Sequence, residues 1–177
     1  GLSNQEYRYT IVAHKNELGS AQSTNSLIVY LAKIGTPATG TVYGRIYGTD
    51  GSTIASSTSY TTGGTTTSGG LDPADLPTYA SYGAFNEYIF NFTTRNVPDD
   101  GFIGMAFDGS AVSGDNFCQV AVKQDPSPAS YWRSDRGGAL AETSAQTFTC
   151  KIGIATDTNL SNGTIFEESD TGKHQMW

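Results

Sequence analysis

The sequence predicts an all-β chain: an antiparallel β-sandwich of jelly-roll type with at most one short helical turn. Gly, Ser and Thr are abundant, Lys is scarce, and ten Tyr and eight Phe supply much of the apolar material. That balance favours strands and turns over helices. Apolar residues alternate in short runs, and clusters of Asp, Gly, Pro and Ser separate the runs. The 177 residues suffice for one hydrophobic core and are few for two, so a single domain over 1–177 is expected.

Glu6 to His14 opens the series, with Tyr7, Tyr9, Ile11 and Ala13 on one side of a strand. Leu27 to Ile34 is more uniformly apolar and reads as a central strand. Gly35-Thr-Pro-Ala-Thr-Gly40 is a turn, because Pro interrupts the ladder and Gly permits positive φ. Thr41 to Gly48 returns with Val42 and Ile46 facing one way and Tyr43, Arg45 and Tyr47 the other. Asp50-Gly51 signals a hairpin before Ser52 to Tyr60, so an antiparallel meander is expected here. Thr61 to Gly70 has too little apolar surface to pack and reads as a flexible, exposed Thr/Gly loop. In Leu71-Asp-Pro-Ala-Asp-Leu76, Pro and the acidic residues start one helical turn. Tyr88 to Thr94, Phe102 to Phe107, Phe117 to Lys123 and Thr147 to Ala155 complete the strands, with a last one after Asn162-Gly163.

The formal net charge is −7, and no cluster of Lys or Arg interrupts the acidic balance. Such a surface repels phosphate backbones, so nucleic acid is not an expected partner. No apolar run approaches the ~20 residues needed to cross a bilayer, and membrane insertion is not expected either. The opening Gly1-Leu-Ser-Asn4 has neither Met nor a hydrophobic signal core, which raises the expectation of a processed chain. Cys118 and Cys150 fall on the apolar register of two strands, with Val120 and Val122 beside one and Phe148, Ile152 and Ile154 beside the other. Two readings stay open: a disulfide inside an exported protein, or two buried thiols acting as small hydrophobes.

Ser26-Leu-Ile-Val-Tyr-Leu-Ala-Lys-Ile-Gly-Thr-Pro-Ala-Thr-Gly-Thr-Val-Tyr-Gly-Arg-Ile-Tyr47 reads as strand, Gly-x-Pro turn and return strand. Ile54-Ala-Ser-Ser and Tyr88-Ile-Phe-Asn-Phe follow in the same style. This pattern resembles jelly-roll domains of bacterial and archaeal extracellular surface proteins and of viral or phage appendage proteins. The resemblance spans residues 9–155, and its motifs are structural punctuation rather than chemistry. It implies a non-catalytic module for adhesion, carbohydrate contact or assembly at a cell or virion surface. Thr61 to Gly70 and the tail after Thr156 depart from the pattern.

His14 and His174 are far apart, and the chain lacks zinc-spaced Cys pairs, a Gly-x-Ser-x-Gly elbow and a phosphate-cradling Gly-rich loop. Asp99-Asp100 and Glu167-Glu168 are the carboxylate pairs available for glycoside hydrolysis, but each adjoins turn residues where acids are ordinarily solvated. Calcium is the better cofactor candidate, held by Asp108, Asp115 and Asn116 in an oxygen-rich hairpin connection, with Asp50 a weaker ligand. For glycans, Tyr131, Trp132 and Arg133 in a Pro- and Ser-rich loop with Asp135 offer an aromatic face, and Tyr79 and Tyr82 form a second group. Asn91, Asn159 and Asn162 head glycosylation sequons.

Large apolar groups mark both ends: Tyr7 and Tyr9 at the first strand, and Met176 and Trp177 at the last residues. Segments 1–8 and 157–177 are therefore candidate docking ends, able to lie on their own sandwich or on a neighbouring subunit. The expected function is a non-enzymatic structural subunit of an extracellular or virion-surface assembly, with copies of itself or neighbouring subunits as partners. The alternative is a carbohydrate-binding module, and a third reading is a polysaccharide-acting enzyme.

Overall fold

The computed structural model describes residues 11–36, 40–80, 84–109, 116–124, 131–134, 141–142, 146–148, 150–153, 165–167 and 174–176. Its strands begin with β1 (Ile11–Lys15), β2 (Gln22–Ile34), β3 (Gly40–Tyr47), β4 (Thr53–Ser56), β5 (Ser59–Thr62) and β6 (Thr65–Ser68). After a 3-10 turn at Pro73–Asp75 come β7 (Asn86–Val97), β8 (Phe102–Gly109), β9 (Phe117–Val120), β10 (Val122–Gln124) and β11 (Tyr131–Ser134). The last are β12 (Ala141–Glu142), β13 (Gln146–Phe148), β14 (Cys150–Gly153), β15 (Ile165–Glu167) and β16 (His174–Met176).

One sheet runs β12-β11-β1-β8-β3-β4, and the other runs β14-β2-β7-β5-β6 with β9 also on β2. All pairs within them are antiparallel, and the sheets pack face to face as a sandwich. Pairing is nested. β1 pairs with β11 and β3 with β8 in one sheet, while β2 pairs with β9 and β5 with β7 in the other. The chain thus travels as one long hairpin whose paired strands alternate between sheets, which is jelly-roll wrapping.

The core follows from strand periodicity. Leu27, Val29 and Leu31 of β2, Tyr88, Phe90 and Phe92 of β7, Val42 and Ile46 of β3, and Ile103, Met105 and Phe107 of β8 all point between the sheets. The expected 3-10 turn is present: Asp72 caps it by accepting from the Ala74 N–H at 2.9 Å, and Pro73 opens it. Leu71 and Leu76, on either side, are buried in the core. Leu71 exchanges backbone hydrogen bonds with Val42, and Tyr79 N donates to Lys33 O, so residues 71–79 tie one sheet to the other. Among the described residues no helix is long and apolar enough to cross a membrane.

Several expectations need correction. The meander is absent, because β2 and β3 lie in opposite sheets; Leu31 and Val42 face the same core from two sides. The strand expected over Ser52 to Tyr60 is two strands in different sheets, β4 and β5. At the crossing, buried Ser57 donates its N–H to Gly44 O and accepts from Gly44 N at its hydroxyl. The loop expected at Thr61 to Gly70 is an ordered hairpin of β5 and β6 with Gly63-Gly64 as its turn. Both glycines have positive φ, 55° and 83°, as a two-residue type I′ connection requires. Tyr47 does face away from Val42 and Ile46 as expected, and on that outer face it is 1 % exposed, clustered with Ala13 and Phe102.

Candidate functional site

The site begins at the end of the sandwich where β1 stops and β2 starts. Asn16 organises it. Its Nδ2 donates to the carbonyls of Ser20 (2.9 Å), Val97 (3.2 Å) and Pro98 (2.9 Å), and its Oδ1 accepts from Leu18 N at 3.2 Å. Its backbone bonds Gly101 O and Asp100 N, so one buried amide holds the β1–β2 loop against the β7–β8 turn. Asp100 occupies the left-handed region at φ 58°, a conformation Asp tolerates better than most residues. Its carboxylate pairs with Lys15 Nζ at 2.7 Å, and this hydrogen bond is the main reason the Lys15 pKa is raised, against a smaller effect of burial.

This frame opens a cleft of about 390 Å³ between the sheets, walled by His14, Asn16, Leu18, Val97, Ile103 and Ile152 among others. Leu18 is 74 % exposed and Ile152 43 %, and they are two of the three large hydrophobic side chains exposed among the described residues. The third, Ile54, lies on β4. Clefts of this size and apolar character hold small ligands or inserted apolar side chains. The side chains forming this one offer shape and dispersion contact more than chemistry.

The structure disperses the residues nominated from sequence. Tyr131, Trp132 and Arg133 belong to β11, paired with His14, Ala13 and Val12 of β1, so the expected loop is a strand there. Asp135 and Tyr82 lie outside the described residues, while Tyr79 is half-buried with its ring 5.3 Å from that of Phe85. Of the calcium candidates, Asp108 faces Arg45 at 3.3 Å, Asn116 Oδ1 accepts from Thr36 N at 2.7 Å, and Asp115 lies outside the described residues. No group of three metal-ligating side chains occurs among the described residues. The Asp50 carboxylate instead accepts from the Ser52 hydroxyl (2.6 Å) and N–H (3.0 Å), closing the β3–β4 turn. The Ser52 hydroxyl, then its N–H, lower the Asp50 pKa.

Asn91 is half-buried in the middle of β7, facing away from the core as expected. Its amide nitrogen is engaged by the hydroxyls of Ser59 (3.2 Å) and Thr61 (3.1 Å), which is a poor setting for a glycan acceptor. Asn159 and Asn162 lie outside the described residues. Cys118 and Cys150 are free thiols. The disulfide reading is corrected by register, since Cys118 lies opposite Lys33 and Cys150 opposite Val29 on the same side of β2. Four residues along a strand span about 13 Å, against about 4.4–6.8 Å between bridged Cα atoms. Burial pushes both thiols up to about 12. Met176 lies in β16, register partner of Ile165, while Tyr7, Tyr9 and Trp177 lie outside the described residues.

Sequence reasoning missed Asn16, Leu18 and Ile152 as a group. Leu18, the one large apolar residue in Asn16-Glu-Leu-Gly-Ser20, was the available signal. Compared with protein-family models, curated proteins and solved structures, the chain matches none.

Proposed function

We propose that this chain is a structural subunit of an extracellular or virion-surface assembly, acting by contact rather than by catalysis. The observation that carries this reading is the distribution of exposed apolar side chains: Leu18 and Ile152 stand at an apolar cleft rather than scattered over the surface. Isolated exposed hydrophobics are ordinary, but hydrophobics gathered at a concave site mark an interaction surface. The cleft would take an apolar plug from a neighbouring subunit, and the terminal groups Tyr7, Tyr9, Met176 and Trp177 are candidates for it. The alternative is a carbohydrate-binding module, in which Tyr131 and Trp132 would act from strand β11 rather than from a loop.

Light scattering of the intact chain, of Leu18→Glu with Ile152→Glu, and of chains lacking residues 1–9 or 173–177 tests the reading. Wild type is expected to form particles larger than one chain, and the cleft variant and at least one truncation to lower their mass. A folded wild-type monomer, or assemblies unaffected by every one of these changes, would sink it.

A further inference from the structure

One flank of the sandwich carries the edge strands β4 and β6, one from each sheet and each without a further strand partner among the described residues. They share a flank because only Ser57 and Thr58 separate β4 from β5, and β5 carries β6. No charged residue occurs between Asp50 and Asp72, so β4, β5 and β6 carry no charge of their own in a chain of net charge −7; the nearest guanidinium, of Arg45 on β3, reaches the Ser56 hydroxyl of β4 at 3.2 Å. Natural sheets blunt their edges with charges, Pro, bulges or short strands. β6 is Thr-Thr-Thr-Ser, fully exposed, and of those devices it uses shortness alone.

The backbone polarity of the edge follows from the hairpin. The two-residue turn at Gly63-Gly64 makes Thr62 and Thr65 the first hydrogen-bonded pair, such pairs recur at every second position, and the bond from Gly69 N to Thr58 O fits that alternation. Tyr60 with Thr67 and Thr62 with Thr65 are then the inward-bonded pairs, and Thr66 and Ser68 aim their N–H and C=O groups outward. β-Branched Thr suits a strand that receives another.

We infer that the β6 edge is a self-association site, where β6 of a second copy adds antiparallel about a two-fold axis at Thr67. This deepens the proposed assembly role and rests on it. In that register Thr66 of each chain faces Ser68 of the other, and each exchanges both backbone bonds, so the contact is isologous. Charge selects the occupant. Two copies at −7 repel one another overall and meet with least repulsion through strands that carry no charge, whereas a basic partner would gain nothing from such strands.

Equilibrium sedimentation of wild type, Thr66→Pro and Thr66→Lys, with circular dichroism to verify folding, tests this. Pro removes the outward donor, and Lys places like charges across the axis. Association is expected to weaken about tenfold or more in both variants, a change of about 1.4 kcal/mol. If Thr66→Pro misfolds, Thr66→Lys decides. An associating wild type whose two folded variants associate equally well overturns the edge site and leaves the assembly reading standing. A wild type that is monomeric at every concentration overturns both.

Discussion

Asn16 shows how much one side chain can hold in this fold. Replacing it with Ala removes the amide contacts to the Ser20, Val97 and Pro98 carbonyls and to Leu18 N, while Ser20 O keeps the Gln22 side-chain amide and Pro98 O keeps the Gly101 N–H. Each intramolecular hydrogen bond lost costs about 0.5–1.5 kcal/mol. Urea unfolding of Asn16→Ala is expected to show a loss of about 2–3 kcal/mol, with the cleft residues losing hydrogen-exchange protection first. At the same scale, Cys118 and Cys150 have thiols pushed up to about 12 by burial, and Tyr47 is pushed to about 12 by burial against the opposing pull of Arg45. Each is an acid whose folded pKa exceeds its unfolded one, so above the unfolded pKa the unfolded state releases protons that the native state keeps. Stability from these groups is therefore complete below about pH 8.5 and falls as pH rises toward 12. Urea midpoints measured between pH 7 and 11 should be flat at first and then decline, and native thiols should react slowly with alkylating reagents below pH 9. Rapid native labelling would contradict the burial.

At the scale of elements, the parts legible in the sequence were those whose apolar residues alternate: β2, β3, β7 and β8 lie where the pattern put them. The Asp50-Gly51 turn and the Pro-started 3-10 turn were legible for a different reason, since both rest on local backbone chemistry. The β5–β6 hairpin was not, because Thr and Ser alternate with one another and show no apolar face. Its signal was Gly63-Gly64, the dipeptide a type I′ turn accepts most readily. Replacing Gly64 with Val puts a β-branched residue at φ 83° and should cost about 1–2 kcal/mol. Amide exchange in β5 and β6 should rise while β2 and β7 stay protected. Unchanged exchange in the hairpin would mean the turn is not held in this conformation. Tyr47 lies on the face alternation gave it, but its burial was not legible, because Ala13 and Phe102, which cover it there, come from other strands.

Across the whole molecule, alternation identified which residues are inward but not which sheet holds each strand. β2 and β3 supply the same core from opposite sides, so a crossover between sheets and a hairpin leave the same apolar pattern. The candidate site was less legible still. Asn16 with Leu18, Val97 and Ile152 come from three places in the chain and meet only through jelly-roll wrapping. Wrapping also gathers the two edge strands β4 and β6, neither with a charged residue of its own, on one flank. The proposed cleft contact and the proposed β6 pairing would together give the subunit two contact surfaces of different chemistry, from which an extended assembly can be built. Sedimentation of the intact chain across a wide concentration range tests that role most directly. Species heavier than 18.7 kDa that grow with concentration are expected, and a single 18.7 kDa species throughout would contradict it.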